Sequence, residues 1–271
     1  MVVGSAVAET LGGFRFLPAL AALIGALLIQ IACNLSNDLF DFRAGADGHD
    51  RLGPPRATAS GWLSQRQVVF GIVVTLSLAS CAGAYLIAVA GWPVVVIGVS
   101  SVCCALAYTT GPYPLAYHGL GEIFVFLFFG PVAVCGTTYV QTGSWSSLAF
   151  WASCPLGMLA AAILVVNNLR DRHSDGRSGK RTLAVRWGAR WTRAQYATFM
   201  TGSYVCVLLA VALGDAPVGW LMVVVTLPLS RRCVREVYAR DGGDLNGQLG
   251  ATARLGLFFG LLLAGGGLLW V

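Results

Sequence analysis

The chain has 271 residues, of which 56% are hydrophobic and only 11% are charged, and its formal net charge is +6. Soluble domains carry roughly 25% charged residues, so this composition excludes a soluble globular domain, a disordered chain and a disulfide-stabilised secreted domain. The basic residues lie in stretches between apolar runs and form no continuous stripe, so we expect no nucleic-acid partner. The sequence predicts an integral membrane protein that contacts membrane lipid over most of its surface.

Eight apolar runs approach or exceed the length of about 20 residues that a helix needs to cross a bilayer. They lie at 16–37, 67–90, 92–109, 121–140, 148–167, 196–213, 217–230 and 254–271. A shorter apolar piece, Met1 to Leu11, precedes them and predicts a shortened first helix, as expected for a truncated chain or a misassigned start. We therefore predict one all-α, polytopic membrane domain over residues 1–271, with nine transmembrane helices.

The loops between these runs alternate in charge. Of the 18 basic residues, all but Arg15 lie in three stretches, 43–66, 170–193 and 231–254. Basic loops remain in the cytoplasm, according to the positive-inside rule. We therefore expect a multi-pass protein of the cell inner (plasma) membrane whose amino terminus and polar site face the cytoplasm.

Two patches of carboxylate and amide side chains directly follow apolar runs. The first contains Asn34, Asn37, Asp38 and Asp41, and the second contains Asn168, Asp171 and Asp175. Spacings of three or four residues place the members of each patch on one helical face. Carboxylates at a membrane edge are costly unless they pair or coordinate, so a functional role is the default hypothesis. Oxygen ligands suit Mg²⁺ and nearby cations suit phosphate, so the two patches together predict a diphosphate held by Mg²⁺.

Residues 34–61, 108–143 and 167–188 resemble the UbiA superfamily of intramembrane prenyltransferases, in the branch that prenylates 1,4-dihydroxy-2-naphthoate for menaquinone synthesis. The resemblance implies a polyprenyl diphosphate donor, this naphthoate as acceptor with loss of its carboxylate, demethylmenaquinone as product, and Mg²⁺ as cofactor. It also implies metal ligands, namely Asn37, Asp38, Asp41, Asp171 and Asp175, of which the four aspartates are the expected catalytic residues. Gly45 stands where the superfamily often has a further Asp, which makes Asp47, two residues later, a weaker ligand candidate.

A wider set of polar residues is expected to bind substrate. It comprises Asn34, Asn37, Arg43, Arg56, Tyr113, Tyr117, His118, Asn168, Lys180 and Arg181. The stretch from Tyr113 to Tyr117 lacks the Lys that other branches of the superfamily carry there, which itself resembles the naphthoate branch. Glu122 opens a predicted helix, where its charge can be explained by the helix dipole alone.

Three alternative functions remain open. The acceptor could be another aromatic compound, or it could be absent, as in a membrane terpene cyclase. The acidic faces could also belong to a divalent-cation transporter. A transporter should place polar residues near the bilayer midplane, whereas several of the predicted spans are nearly free of charge at their centres.

Overall fold

The computed structural model describes residues 1–45 and 52–269, which are largely helical and contain no strand. The all-α prediction is therefore confirmed. The α-helices are α1 Val2–Thr10, α2 Phe16–Arg43, α3 Gln65–Ala90, α4 Pro93–Ala107, α5 Gly121–Leu127, α6 Ala133–Thr142, α7 Ser147–Arg177, α8 Leu183–Ala212, α9 Leu227–Ala239 and α10 Asn246–Leu269.

Within these described ranges, six helical stretches are long and apolar enough to cross a membrane. One of them consists of α5 and α6, which a π-helical turn at Phe128–Val132 joins into a single span. A 3₁₀ helix, Val218–Thr226, leads into α9. Counted with α1, α4 and this last unit, the stretches make nine, each at a position that an apolar run predicts.

The outer surface of the bundle is apolar. Large side chains such as Phe70 and Val225 are 70% and 75% exposed. Exposing such a surface to water is unfavourable, whereas lipid acyl chains would cover it. The many apolar residues that point outward are therefore consistent with a multi-pass membrane protein.

Helices α2 and α7 are longer than the apolar runs that predict them. They contain 28 and 31 residues, or about 42 and 46 Å at 1.5 Å per residue, against about 30 Å for the hydrocarbon core. The excess falls on the last turns of each helix. Those turns carry the two carboxylate patches, so the patches extend beyond the apolar part of the bundle.

The three basic stretches meet at the same end of the bundle. Arg172 Nη2 lies 3.2 Å from Asp241 Oδ2, and Asn246 Nδ2 donates to the Leu52 carbonyl oxygen at 2.8 Å. At the opposite end of the bundle, Trp151 Nε1 donates to Asp215 Oδ2 at 3.1 Å, which connects α7 to the segment after α8. The bundle thus has one strongly charged end and one nearly neutral end.

Two glycines allow the span formed by α5 and α6 to touch α7. A Cβ atom on Gly157 would lie 2.6 Å from the Phe126 carbonyl oxygen, and one on Gly130 would lie 2.7 Å from the Ser153 carbonyl oxygen. Such close contact between backbones is typical of small residues at helix crossings in membranes. The crossing places α5 directly against α7, on the side that leads to the charged end.

Candidate active site

The first carboxylate patch lies on the buried face of α2, where Asp38 and Asp41 are each 5% exposed. The Thr58 backbone N–H donates to both oxygens of Asp38, at 3.4 and 3.2 Å. Asp41 Oδ2 accepts from Arg56 Nη2 at 3.4 Å, and its Oδ1 accepts from the Tyr117 hydroxyl at 3.3 Å. Both carboxylates are therefore held by segments outside their own helix.

The two asparagines of this patch have different surroundings. Asn37 Oδ1 accepts from Thr109 Oγ1 at 2.9 Å, which connects the patch to the segment after α4. Asn34 is exposed and accepts from Gln30 Nε2 at 3.2 Å, on its own helix. The structure thus brings Asn37 into the cluster of predicted residues, while Asn34 stays a prediction.

Arg170 binds the carboxylate of Asp171 at two points. Its Nε donates to Oδ1 at 2.8 Å and its Nη2 donates to Oδ2 at 2.6 Å. Arg170 is only 2% exposed, and its remaining N–H groups donate to Asn167 Oδ1 and Asn246 Oδ1, both at 2.9 Å. This arginine therefore neutralises Asp171 and also ties α7 to α10.

Asp175 lies on the last turns of α7, beyond the apolar part of the helix. Burial raises the pKa of this carboxyl to about 6; the charges of Asp171 and Asp41 add to the rise, and Lys180 and Arg170 oppose it. Tyr117 connects the end of α2 to the segment that follows α7, since its hydroxyl donates to Asp41 and its carbonyl oxygen accepts from the Arg181 N–H. Neighbouring carboxylates disfavour one another's ionised form, and a bound cation would remove that conflict.

Tyr117 links the first patch to the segment after α7. Its hydroxyl reaches Asp41, its carbonyl oxygen accepts from the Arg181 N–H at 3.0 Å, and Lys180 Nζ lies 5.6 Å from its ring centroid. Gly119, with a φ of 71°, permits this approach, since a Cβ there would lie 3.3 Å from the Arg181 carbonyl oxygen. Of the predicted substrate-binding cations, Arg56 therefore contacts a carboxylate directly, and Lys180 lies over the ring of Tyr117, whose hydroxyl bonds Asp41.

The other predicted cations lie further out. Arg43 is exposed, and its Nε donates to Gln65 Oε1 at 3.0 Å, on α3. Arg181 is also exposed, and it supports Tyr117 through its backbone. Asp47 lies outside the described residues.

Tyr113 and His118 form a stacked pair beside Tyr117. Their ring centroids are 3.5 Å apart with an interplanar angle of 20°, and His118 Nδ1 lies 2.8 Å from the Pro114 carbonyl oxygen. Tyr113 is 56% exposed, so the pair lies at the outer edge of the site. Two flat rings in this position could contact a planar substrate.

Asn168 has a partner that the sequence did not indicate. Its Nδ2 donates to Glu122 Oε1 at 3.0 Å, and the two side chains are 5% and 2% exposed. The helix dipole alone therefore does not account for Glu122. A single acidic residue at the start of a helix has an adequate local explanation, so only the packing of α5 on α7 could reveal this contact.

The sequence profile of the UbiA prenyltransferase family matches residues 1–246. The chain belongs to the UbiA prenyltransferase family. A similar protein is the 1,4-dihydroxy-2-naphthoate octaprenyltransferase of Escherichia coli (strain K12), 39% identical over 215 residues that cover 77% of this chain and 70% of that protein. The enzyme of the same name from Mycobacterium leprae (strain TN) is 36% identical over 269 residues, covering 98% and 89%.

Solved structures show the same UbiA fold at low sequence identity. A digeranylgeranylglyceryl phosphate synthase has a TM-score of 0.66 at 12% identity, with 98% of this chain and 91% of that chain covered. A UbiA homolog from Archaeoglobus fulgidus, bound to DMAPP and Mg²⁺, has a TM-score of 0.64 at 13% identity, with 97% and 94% covered. These likenesses support the helix arrangement and leave the chemistry to the residues of the site.

The donor set suits Mg²⁺, because both patches offer carboxylate oxygens and Asn37 adds an amide oxygen. Among the residues described, however, no three of the His, Cys, Asp and Glu side chains are grouped to hold a metal ion. Arginine side chains bind two of these carboxylates instead: Arg56 binds Asp41, and Arg170 binds Asp171. The chemistry of the ligands fits the ion, although the ligands do not surround one point.

Sequence reasoning missed three further contributors to this UbiA site, namely Thr58, Thr109 and Asn246. Thr58 and Thr109 both belong to segments that resemble the superfamily, 34–61 and 108–143, so their neighbourhoods carried a signal. Thr58 acts through its backbone N–H, and Asn246 acts by accepting from Arg170. Neither contribution depends on a motif, and both follow from the way in which distant loops fold over the ends of α2 and α7.

Proposed function

We propose that this protein transfers a polyprenyl group from a polyprenyl diphosphate to 1,4-dihydroxy-2-naphthoate, with loss of the acceptor's carboxylate, as a step of menaquinone synthesis. The observation that carries the proposal is that α2 and α7 each end in an Asp-bearing turn at the charged end of an apolar bundle, with Tyr117 joining Asp41 on α2 to the segment after α7. This arrangement matches a substrate with a diphosphate head and a hydrocarbon tail. Relatives that carry the naphthoate enzyme's name, at 36% and 39% identity, support the choice of acceptor.

The diphosphate would lie between the two patches. Asp38, Asp41, Asp171 and Asp175, with the amide oxygen of Asn37, are the residues that would hold Mg²⁺. When bound, Mg²⁺ supplies positive charge that stabilises the diphosphate as a leaving group.

The cations of the protein assist at the same place. Arg56 lies 3.4 Å from Asp41, so it is close enough to the carboxylates to donate to a phosphate oxygen of the diphosphate. Lys180, above the Tyr117 ring, is a second donor for phosphate. Tyr117 holds Asp41 in place through its hydroxyl. Loss of the diphosphate leaves carbocation character on the allylic carbon, which the electron-rich acceptor ring removes by forming the new C–C bond.

The decisive assay uses the purified protein in lipid nanodiscs with Mg²⁺, a mixture of polyprenyl diphosphates and 1,4-dihydroxy-2-naphthoate. Mass analysis should find the reduced form, demethylmenaquinol, or the demethylmenaquinone that air oxidation produces from it during extraction, with a donor chain length that the enzyme selects. A prenylated product from another aromatic acid, with none from the naphthoate, would contradict the choice of acceptor. A cyclised hydrocarbon formed without acceptor would identify a terpene cyclase.

We also propose that the charged end faces the cytoplasm, because the three sequence stretches that meet there account for 17 of the 18 basic residues of the sequence. Ser178 and Ser144 lie at opposite ends of α7 and can be replaced by single cysteines in a variant without other cysteines. In sealed cells a membrane-impermeant thiol reagent should label Ser144→Cys and leave Ser178→Cys unlabelled. Equal labelling at both positions, or the reverse pattern, would contradict this orientation.

A further inference from the structure

Glu122 carries a carboxylate oxygen that the structure leaves without a partner. Its Oε1 accepts from Asn168, whereas its Oε2 is buried and makes no hydrogen bond within the described part of the chain. The ion pairs found among the described residues do not include Glu122. A buried carboxylate oxygen that loses its hydration without replacement is costly, so such a group calls for an explanation.

Glu122 lies at the depth in the bundle at which we expect the reacting carbon of the substrate. Asn168 precedes Asp171 by three residues on the same face of α7, which places it about 4.5 Å closer to the bilayer centre. Glu122, bonded to Asn168, therefore lies one helical turn below the carboxylates that would hold the diphosphate. The allylic carbon is attached directly to the diphosphate, so the acceptor ring that attacks this carbon must lie at the level of Glu122.

The helix that carries Glu122 is held against its neighbours by close contacts at its glycines. The glycine crossing of Gly130 and Gly157 holds α5 against α7. On the other side, a Cβ on Gly121 would lie 2.9 Å from the Tyr108 hydroxyl oxygen, so this ring contacts the first turn of α5. Glu122 thus has a fixed position, as a group that must meet a substrate atom requires.

We propose that Glu122 and Asn168 form the binding site for a phenolic hydroxyl of the acceptor, and that Glu122 Oε2 takes the proton of that hydroxyl during prenyl transfer. This inference rests on the proposed function. The O–H electron pair moves into the ring, the ring carbon that bears the carboxylate forms the bond to the allylic carbon, and the C–O bond to diphosphate breaks with its pair on the diphosphate. The carboxylate then leaves as CO₂, the electron pair of its C–C bond restores the aromatic ring, and the ring oxygen takes back the proton. Asn168 orients the carboxylate by donating to Oε1, which leaves Oε2 for the acceptor hydroxyl.

The test uses Glu122→Gln in the full-length protein in nanodiscs. Glutamine keeps the shape and an oxygen for Asn168, but its second polar atom cannot accept a proton. General-base catalysis contributes about 10²–10⁴-fold, so kcat should fall at least 100-fold while KM for the polyprenyl diphosphate changes by less than threefold. The matched control is Glu236→Gln, since Glu236 pairs with Arg240 on α9 and its loss should leave the rate unchanged.

Acceptors of graded acidity distinguish proton transfer from a structural role. With a fluorinated dihydroxynaphthoate, whose hydroxyl ionises more readily, the ratio of wild-type to Glu122→Gln rates should shrink markedly. An unchanged ratio for all acceptors, or a variant within threefold of the wild type, would overturn the assignment of Glu122 alone. A wild-type protein that transfers no prenyl group to any dihydroxynaphthoate would overturn the proposed function, and this inference with it.

Discussion

The two carboxylate patches have similar spacings but opposite means of support. In the first patch, Asp38 and Asp41 are held by groups outside α2, on the loop after α2 and on the loop before α5. In the second, Asp171 is held by Arg170, the preceding residue of the same helix. The first patch therefore depends on distant segments folding correctly, whereas the second is largely assembled once α7 has formed.

The largest expected effect is common to both patches. Replacing Asp38 or Asp171 by Asn removes one negative oxygen donor from the diphosphate site, and we expect about a 10³-fold loss of kcat/KM. Asp215→Asn is the matched control, because Asp215 bonds Trp151 at the opposite end of the bundle. Initial rates of naphthoate prenylation measure the effect, and full activity in either variant would refute the shared role of the patches.

Stability should separate the same two variants. Asp171→Asn leaves the buried Arg170 without its carboxylate, which we expect to cost about 3 kcal/mol, as when one partner of a buried ion pair is removed. Asp38→Asn keeps an oxygen acceptor for the Thr58 N–H, so it should cost less than about 1 kcal/mol. Unfolding of both variants in the same detergent tests the difference. Equal destabilisation would mean that the patches are supported in the same way.

The arginines beside the first patch should also differ in effect. Arg56→Gln removes a cation from Asp41 and from the incoming phosphate, so KM for the polyprenyl diphosphate should rise about tenfold, equivalent to about 1.4 kcal/mol. Arg43→Gln affects a side chain that bonds Gln65 on α3, and it should change KM less than twofold. A larger effect from Arg43 would place the diphosphate nearer to α3 than we propose.

The smallest expected effect concerns the Tyr117 hydroxyl. Tyr117→Phe removes one hydrogen bond to Asp41 and keeps the ring beneath Lys180, so kcat/KM should fall about fivefold, equivalent to about 1 kcal/mol. Tyr113→Phe keeps the ring that stacks on His118 and should leave the rate nearly unchanged. The two variants, assayed side by side, show whether loop contacts support the first patch.

The positions of the helices and of both patches could be predicted because one strong constraint governs them. A chain that crosses lipid must satisfy its backbone hydrogen bonds within each span, so apolar length alone identifies the helices. The spacing of Asp38, Asp41, Asp171 and Asp175 then places each patch on one face of its helix. That the two patches lie near each other is a hypothesis, because it depends on how α2, α7 and the intervening loops pack.

The partners of the patches could not be predicted in the same way. Hydropathy does not encode how a polar loop folds, so it indicates neither the bond from the Thr58 N–H to Asp38 nor the link from Arg170 to Asn246. Arg43 and Arg181 stay predictions as phosphate-binding cations. Their side chains are exposed, and position along the chain does not determine the direction in which a long side chain extends.

Substitutions at the glycine crossing between the α5–α6 span and α7 should affect the active site from a distance. Eight residues separate Gly130 from Glu122, or about 12 Å along the helix. A methyl group at Gly157 would meet the Phe126 carbonyl oxygen at 2.6 Å, and a backbone atom can yield only if the whole helix shifts. Such a lesion would slow turnover by widening the gap between Glu122 and Asn168, although it alters no group that touches a substrate. A screen for inactive variants should then find substitutions at these glycines as well as at the aspartates. The amount of protein in the membrane would distinguish a packing defect at the glycines from the loss of a catalytic group.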